Sequence, residues 1–149
     1  KCLHSRQDDP ENHIYCMDFN NDGTLLAVAG RDKYIHIYDE TTKSLAFKMK
    51  EAGDKCGHSN RIFCTKFNPG DNNMLVSGGW DNTIQVYDVR YRAPVHAFWG
   101  PHVCGDAIAF RNDGVTMVTG SYRMDECLEV WDMRMFRRTR VIAWEGSGA

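Results

Sequence analysis

His58, Ser77 and Asp81 are the residue types of a hydrolytic triad and lie close together in the chain. In that chemistry the acid orients the imidazole, the imidazole takes the hydroxyl proton, and backbone N–H groups receive the oxyanion. It requires an exposed nucleophile. The surrounding pattern argues against a single such site. GGWDNTIQVYDVR at 78–90 is echoed by GSYRMDECLEVWDMR at 120–134, and both carry an Asp seven residues before the Asp of a Tyr-Asp or Trp-Asp pair. Asp32 and Asp39 repeat that spacing upstream. One active site does not need three copies, so Asp32, Asp81 and Asp125 read as turn acids. Asp39, Asp88 and Asp132 read as strand-end residues rather than paired carboxylates.

Other site chemistry finds little support. Six cysteines form no C-x-x-C pair, and Cys56-Gly57-His58 offers only a Cys/His pair. That is half of a zinc ligand frame, so no metal or other cofactor is expected, and the thiols are expected to be reduced. No phosphate loop and no H-E-x-x-H is present. The 149 residues are 42% hydrophobic and 26% charged with net charge −2, a globular balance without a global pull towards nucleic acid or anionic lipid. The longest apolar run, Leu25 to Ala29, is far short of a membrane span. The chain opens on Lys1 without a signal-peptide pattern, and residues upstream of it are expected.

The elements that must position these residues recur with a period of about 45 residues. IYCMDFNNDGTLLAVAGRDKYIHIYD, IFCTKFNPGDNNMLVSGGWDNTIQVYD and DAIAFRNDGVTMVTGSYRMDECLEVWD align in order, anchored by Phe19, Phe67 and Phe110. Short β-branched and aromatic runs alternate with Asn-Asp-Gly or Asn-Pro-Gly-Asp turns. Strands a to d are predicted at 14–19, 24–29, 33–38 and 44–49. The second repeat gives 62–67, 74–78, 83–88 and 95–99, and the third 106–110, 115–119, 127–132 and 139–144. Strand b is apolar on nearly every residue, as a strand covered on both faces would be.

Four short strands per period, a Gly-His before strand a and a closing Tyr/Trp-Asp resemble the WD-repeat β-propeller family, over residues 13–146. The resemblance implies an all-β fold: a partial β-propeller of three four-stranded antiparallel blades, belonging to a larger propeller. Its expected divisions are a leading loop at 1–12, blades at 13–50, 51–100 and 101–146, and the start of a further inter-blade loop at 147–149. Three stacked blades leave two apolar faces bare, which invites self-association.

The resemblance also implies a buried hydrogen-bonded set in each blade. Here it is carried by His58, Ser77, Asp81 and Tyr87 in the second repeat, and by His102, Thr119, Asp125 and Trp131 in the third. The third repeat departs from the pattern with two extra residues in its b–c turn. The first has Val28 at the hydroxyl position and no matching His, since His13 aligns with Arg61; packing rather than a polar chain is expected to hold that blade.

Function then falls to the faces. The resemblance places His13, Tyr15 and Arg31, then Arg61, Phe63 and Trp80, then Cys104, Asp106 and Met124 on the top rim, where proteins or peptides would bind. Arg61, Phe63 and Trp80 have hot-spot composition. On the opposite rim Asp88-Val89-Arg90 and Asp132-Met133-Arg134 resemble the doublet by which WD-repeat substrate receptors dock on a cullin-RING ubiquitin ligase adaptor. The alternative is that these arginines are locally paired. A basic stretch of Arg134, Arg137, Arg138 and Arg140, with Met133, Met135 and Phe136, suggests nucleic acid or phospholipid, but it sits where a charged outer strand would protect an edge, and with the acidic net charge nucleic acid is not the expected partner. The expected function is a non-catalytic interaction scaffold in the cytoplasm or nucleus.

Overall fold

The computed structural model describes Cys2 and residues 10–49 and 57–144. Cys56, the segment around it and the last five residues lie outside the described residues. Twelve strands occur among the described residues. They are β1 (Ile14–Phe19), β2 (Leu25–Gly30), β3 (Ile35–Asp39), β4 (Ser44–Lys48), β5 (Ile62–Asn68) and β6 (Asp71–Gly79). The others are β7 (Thr83–Asp88), β8 (Ala93–Trp99), β9 (Ile108–Phe110), β10 (Thr116–Gly120), β11 (Leu128–Asp132) and β12 (Arg137–Ile142). They form three four-stranded sheets, each a simple antiparallel meander in chain order. No helix of the described residues is long and apolar enough to cross a membrane.

The three blades share their irregularities as well as their strands. Each has a register shift just before the strand-c aromatic, at Ile37/Tyr38, Val86/Tyr87 and Val130/Trp131. Such a bulge bends the outer strand and increases twist. The residue after each turn acid has positive φ although its type differs: Lys33, Asn82 and Glu126. The c–d turn repeats this with Lys43, Arg92 and Phe136. The backbone conformation of the turn is thus kept where the side chain that usually favours it is not.

Apolar residues gather into two layers between blades. One joins Ala27, Ala29, Ile35 and Ile37 to Phe67, Leu75 and Tyr87; the other joins Val76, Ile84 and Val86 to Ile108, Met117 and Trp131. Burying side chains of this size stabilises by about 1.5–3 kcal/mol each. Of the three b strands only β6 has a described blade on either side, and its last five residues are all buried. β10 alternates between half-buried and buried instead of being covered on both faces, because only one of its faces meets another blade. Several strand bounds also differ from expectation, by up to three residues. β6 begins at Asp71 because Asn68 pairs with Asp71 across a bulge. β9 begins only at Ile108, and Asp106 is drawn aside to Lys66 Nζ at 3.0 Å.

Candidate functional site

In the second blade the turn between β6 and β7 and the loop before β5 converge on one buried chain of polar groups. Asp81 Oδ2 lies 2.8 Å from His58 Nδ1, and His58 Nε2 lies 2.7 Å from Ser77 Oγ. A carboxylate only accepts, so Nδ1–H donates to it, and Nε2 pairs with the Ser77 hydroxyl. The Tyr87 hydroxyl meets Ser77 at the far end. Asp81 also accepts from Ser59 N–H at 3.1 Å and from Thr83 N–H and Oγ at 3.1 and 2.8 Å. Burial works against the Asp81 carboxylate, yet these donors, His58 first, hold its pKa below the ordinary value. Burial pushes the Tyr87 phenol well up, so it stays a neutral donor.

Connectivity alone makes this a triad, but its nucleophile is closed off. Ser77 is 0% exposed, so no substrate carbonyl can reach Oγ. The chain ties strand b, strand c and the inter-blade loop together instead. Thiol chemistry is equally disfavoured at the inner strands: burial raises Cys16 to about 12 and Cys64 to about 11.

The third blade does not repeat the arrangement. Trp131 Nε1–H donates to Thr119 Oγ1 at 2.9 Å, as the resemblance implied. His102 and Asp125, however, do not meet. Asp125 lies exposed on the lengthened β10–β11 turn, and His102 Nδ1–H donates to Asn82 Oδ1 of the second blade. The two extra residues carry the acid outward. Their space is taken by charges that the repeat pattern did not flag. Glu129, buried on β11, has Oε1 2.7 Å from Arg138 Nη1 and Oε2 2.6 Å from Arg123 Nη2. The second of these is an ion pair without an aligned hydrogen bond. Glu126 meets Arg138 at 2.8 Å. A Glu in the middle of an otherwise apolar strand was the available signal, since a buried carboxylate requires a cation.

The first blade also differs from expectation. It does hold a polar pair, His36 Nε2–H donating to Asp32 Oδ2 at 2.6 Å. The histidine comes from strand c instead of the preceding loop, which is why alignment on His58 missed it.

On the top rim the side chains form a continuous stack across two blades. Tyr15 and Phe63 rings lie 4.7 Å apart at 10°, Phe63 and Trp80 lie 4.9 Å apart at 33°, and Arg61 sits 5.4 Å over the Trp80 ring. A Cβ on Gly79 would collide with the Arg61 carbonyl, to which Trp80 N–H donates at 3.1 Å. Glycine therefore lets the end of β6 close on β5 and puts Arg61 beside Trp80. Tyr15 and Trp80 remain over a third exposed. His13 and Arg31 are exposed on the first blade; Cys104, Asp106 and Met124 are exposed on the third, where no ring continues the stack. Lys66 was not foreseen at this rim.

The opposite rim carries the two arginines, each forked onto its own aspartate. Arg90 Nε and Nη2 donate to Asp88 at 3.0 and 2.6 Å, and Arg134 Nε and Nη2 donate to Asp132 at 3.3 and 3.1 Å. The basic stretch is divided rather than continuous. Met133 is buried, Phe136 packs on His96 with ring centroids 4.3 Å apart, and Arg138 is neutralised, leaving Arg137 and Arg140 exposed on the outer edge.

Three radially repeated antiparallel blades with a buried His–Asp–Ser chain define a β-propeller repeat class. The profile described as WD domain, G-beta repeat matches residues 1–39 and 52–88, just over half of the chain. The chain belongs to the WD-repeat family. It is 28% identical over 131 residues to Protein tipD of Dictyostelium discoideum, covering 88% of this chain and 20% of that protein. It is 33% identical over 89 residues to mRNA export factor GLE2 of Chaetomium thermophilum, covering 59% and 23%. It is 30% identical over 90 residues to WD repeat-containing protein 1 of Xenopus tropicalis, covering 60% and 14%. The chain thus spans about a fifth of the length of such relatives. The profile match ends at Asp88, before the blade whose polar chain is rewired.

Proposed function

We propose that this chain is a non-catalytic scaffold that binds a protein or peptide on the rim bearing Tyr15, Phe63, Trp80 and Arg61. The observation that carries the proposal is the half-exposed ring stack ending under a guanidinium. Exposed aromatics pre-ordered by their neighbours lose little rotamer freedom on binding, and Trp, Tyr and Arg supply most interface energy. WD-repeat relatives support the scaffold reading, and the closed-off Ser77 weighs against a hydrolase.

The adaptor-docking reading rests on Arg90 and Arg134, which are mostly exposed, at matching positions of successive blades. Their aspartates already occupy two donors each, so an adaptor would have to use the remaining faces. Cytoplasm or nucleus is the proposed location, supported by the thiols of Cys16, Cys64, Cys104 and Cys127, which form no disulfide among the described residues. One affinity-capture experiment separates the two rims. Trp80→Ala should lower retention of the bound proteins at least tenfold, the scale of a hot-spot residue. Arg90→Ala with Arg134→Ala should leave it unchanged. Loss only in the arginine double variant would replace the top-rim reading with adaptor docking.

A further inference from the structure

The acids that accompany the top-rim positions are already engaged. Asp32 pairs with His36, Asp81 with His58, and Asp106 with Lys66. Four arginines elsewhere, Arg90, Arg123, Arg134 and Arg138, each lie on a carboxylate. Arg61 is different. Among the described residues no carboxylate comes within ion-pair distance of its guanidinium, which is half-buried and rests on the Trp80 ring. Its main chain is fixed, the N–H donating to Asn60 Oδ1 at 2.8 Å and the carbonyl accepting from Trp80 N–H. The side chain therefore stands pre-ordered, with N–H donors that no described acceptor takes up. Arg61, Phe63 and Trp80 all belong to the second blade, which has a described blade on each side.

The rings add a second selection. Tyr15 and Trp80 both stack on Phe63, and Arg61 lies over Trp80. Ring faces are thereby turned on one another, and a partner meets chiefly ring edges, the electropositive part of an aromatic. Edges and guanidinium N–H groups favour oxygen atoms over cations, and they offer few faces for a nucleobase to stack on. A phosphate, with its nearly double charge, would call for a second cation. Lys66, the cation on β5, is held by Asp106 at 3.0 Å. One open guanidinium matches one carboxylate, which it can grip through two parallel N–H···O bonds.

We propose that the occupant of this rim is an acidic segment of a partner protein, with an Asp or Glu carboxylate on Arg61 and an adjacent apolar side chain along the edges of Phe63 and Tyr15. The proposal rests on the top-rim reading and adds the chemistry of what binds there. Charge complementarity carries it: the pre-ordered guanidinium lacks the carboxylate that the chain's other half-buried arginine, Arg123, finds in Glu129.

A random-sequence peptide library selected on the protein tests it. Enriched sequences should share an Asp or Glu beside an apolar residue. For the tightest of them, labelled with fluorescein and titrated by polarisation, Arg61→Gln should weaken binding about tenfold to a hundredfold, the scale of a charged hydrogen-bonded pair. Exchanging the acid of that peptide for its amide should cause the same loss on the unsubstituted protein and no further loss on Arg61→Gln. The peptide exchange needs no protein variant, so it decides the matter even if Arg61→Gln does not fold. Phosphoserine in place of the acid should bind no tighter. Neutral or basic enriched sequences, no enrichment at all, or a tighter phosphopeptide overturn the proposal, as does a single-stranded oligothymidylate that displaces the peptides. Loss in Trp80→Ala without loss in Arg61→Gln would sink the carboxylate and leave the top rim standing. Peptide binding indifferent to Trp80→Ala would remove the rim itself.

Discussion

Replacing Ser77 by alanine separates the structural from the catalytic reading of the His–Ser–Asp chain. The hydroxyl is fully buried and serves two partners, His58 Nε2 at 2.7 Å and the Tyr87 phenol. Alanine leaves both in place without a partner, and no water-sized space opens when one oxygen is removed. Each buried polar group so orphaned costs about 1–3 kcal/mol, so the variant should lose about 2–6 kcal/mol. For a chain of this size, at about 2–4 °C per kcal/mol, that is a fall in melting temperature of roughly 4–24 °C. Urea unfolding followed by tryptophan fluorescence should show a lower midpoint at unchanged slope, since the surface exposed on unfolding stays the same. Hydrolysis of an activated ester by the unsubstituted chain should match the rate of a denatured control. A loss below about 0.5 kcal/mol, the scale of an ordinary surface substitution, would refute the closed chain. A saturable esterase activity abolished in Ser77→Ala would restore the triad.

Three further outcomes follow from the same contacts. Asp81 has a folded pKa below its unfolded one, so its contribution is complete above the unfolded value near 4 and is lost as pH falls through the folded value. Asp81→Asn should therefore flatten the acid limb of a stability-against-pH curve measured by urea midpoints, and an unchanged limb would contradict the assignment. Asp125→Ala, at the exposed equivalent, should change stability by less than about 0.5 kcal/mol, whereas Asp81→Ala should cost about 3 kcal/mol or more in the same urea assay. Equal losses would mean that the third blade's acid is engaged after all. Arg90→Ala and Arg134→Ala should each shift the melting temperature by no more than about 2 °C in calorimetry, because exposed ion pairs contribute little.

The meander of four strands was legible because turn chemistry and alternation repeat three times. Local chemistry specifies those elements, and the structure places their bounds within a few residues. Asp106 and the start of β6 departed because ion pairing and a bulge are contacts beyond the strand. The polar chain of blade 2 was readable since every member lies at the repeat's usual position. Blade 3 was not, because what replaces Asp125 comes from Asn82 on the blade before and from Arg138 on the outer strand. Neither residue carries a spacing signal. His36 escaped for a related reason: the acid kept its place in the repeat while its partner moved to another strand. The ring stack is intermediate. Its members were placed on one rim by position, but the contact of Trp80 with Arg61 and Phe63 depends on Gly79 admitting the close approach of β5.

The bond from His102 to Asn82 bears on how such a chain can be recombined. Blade 2 keeps its His, Ser, Asp and Tyr within its own sequence, so a cassette of residues 57–99 carries its internal fastening with it. Blade 3 borrows an amide from its neighbour's turn. Transplanted behind a blade with a different residue in that place, it would arrive with an imidazole lacking its acceptor. Duplication or shuffling of these units should therefore preserve the order of blade 2 before blade 3. The two behave as an inseparable pair, though each resembles a free-standing module.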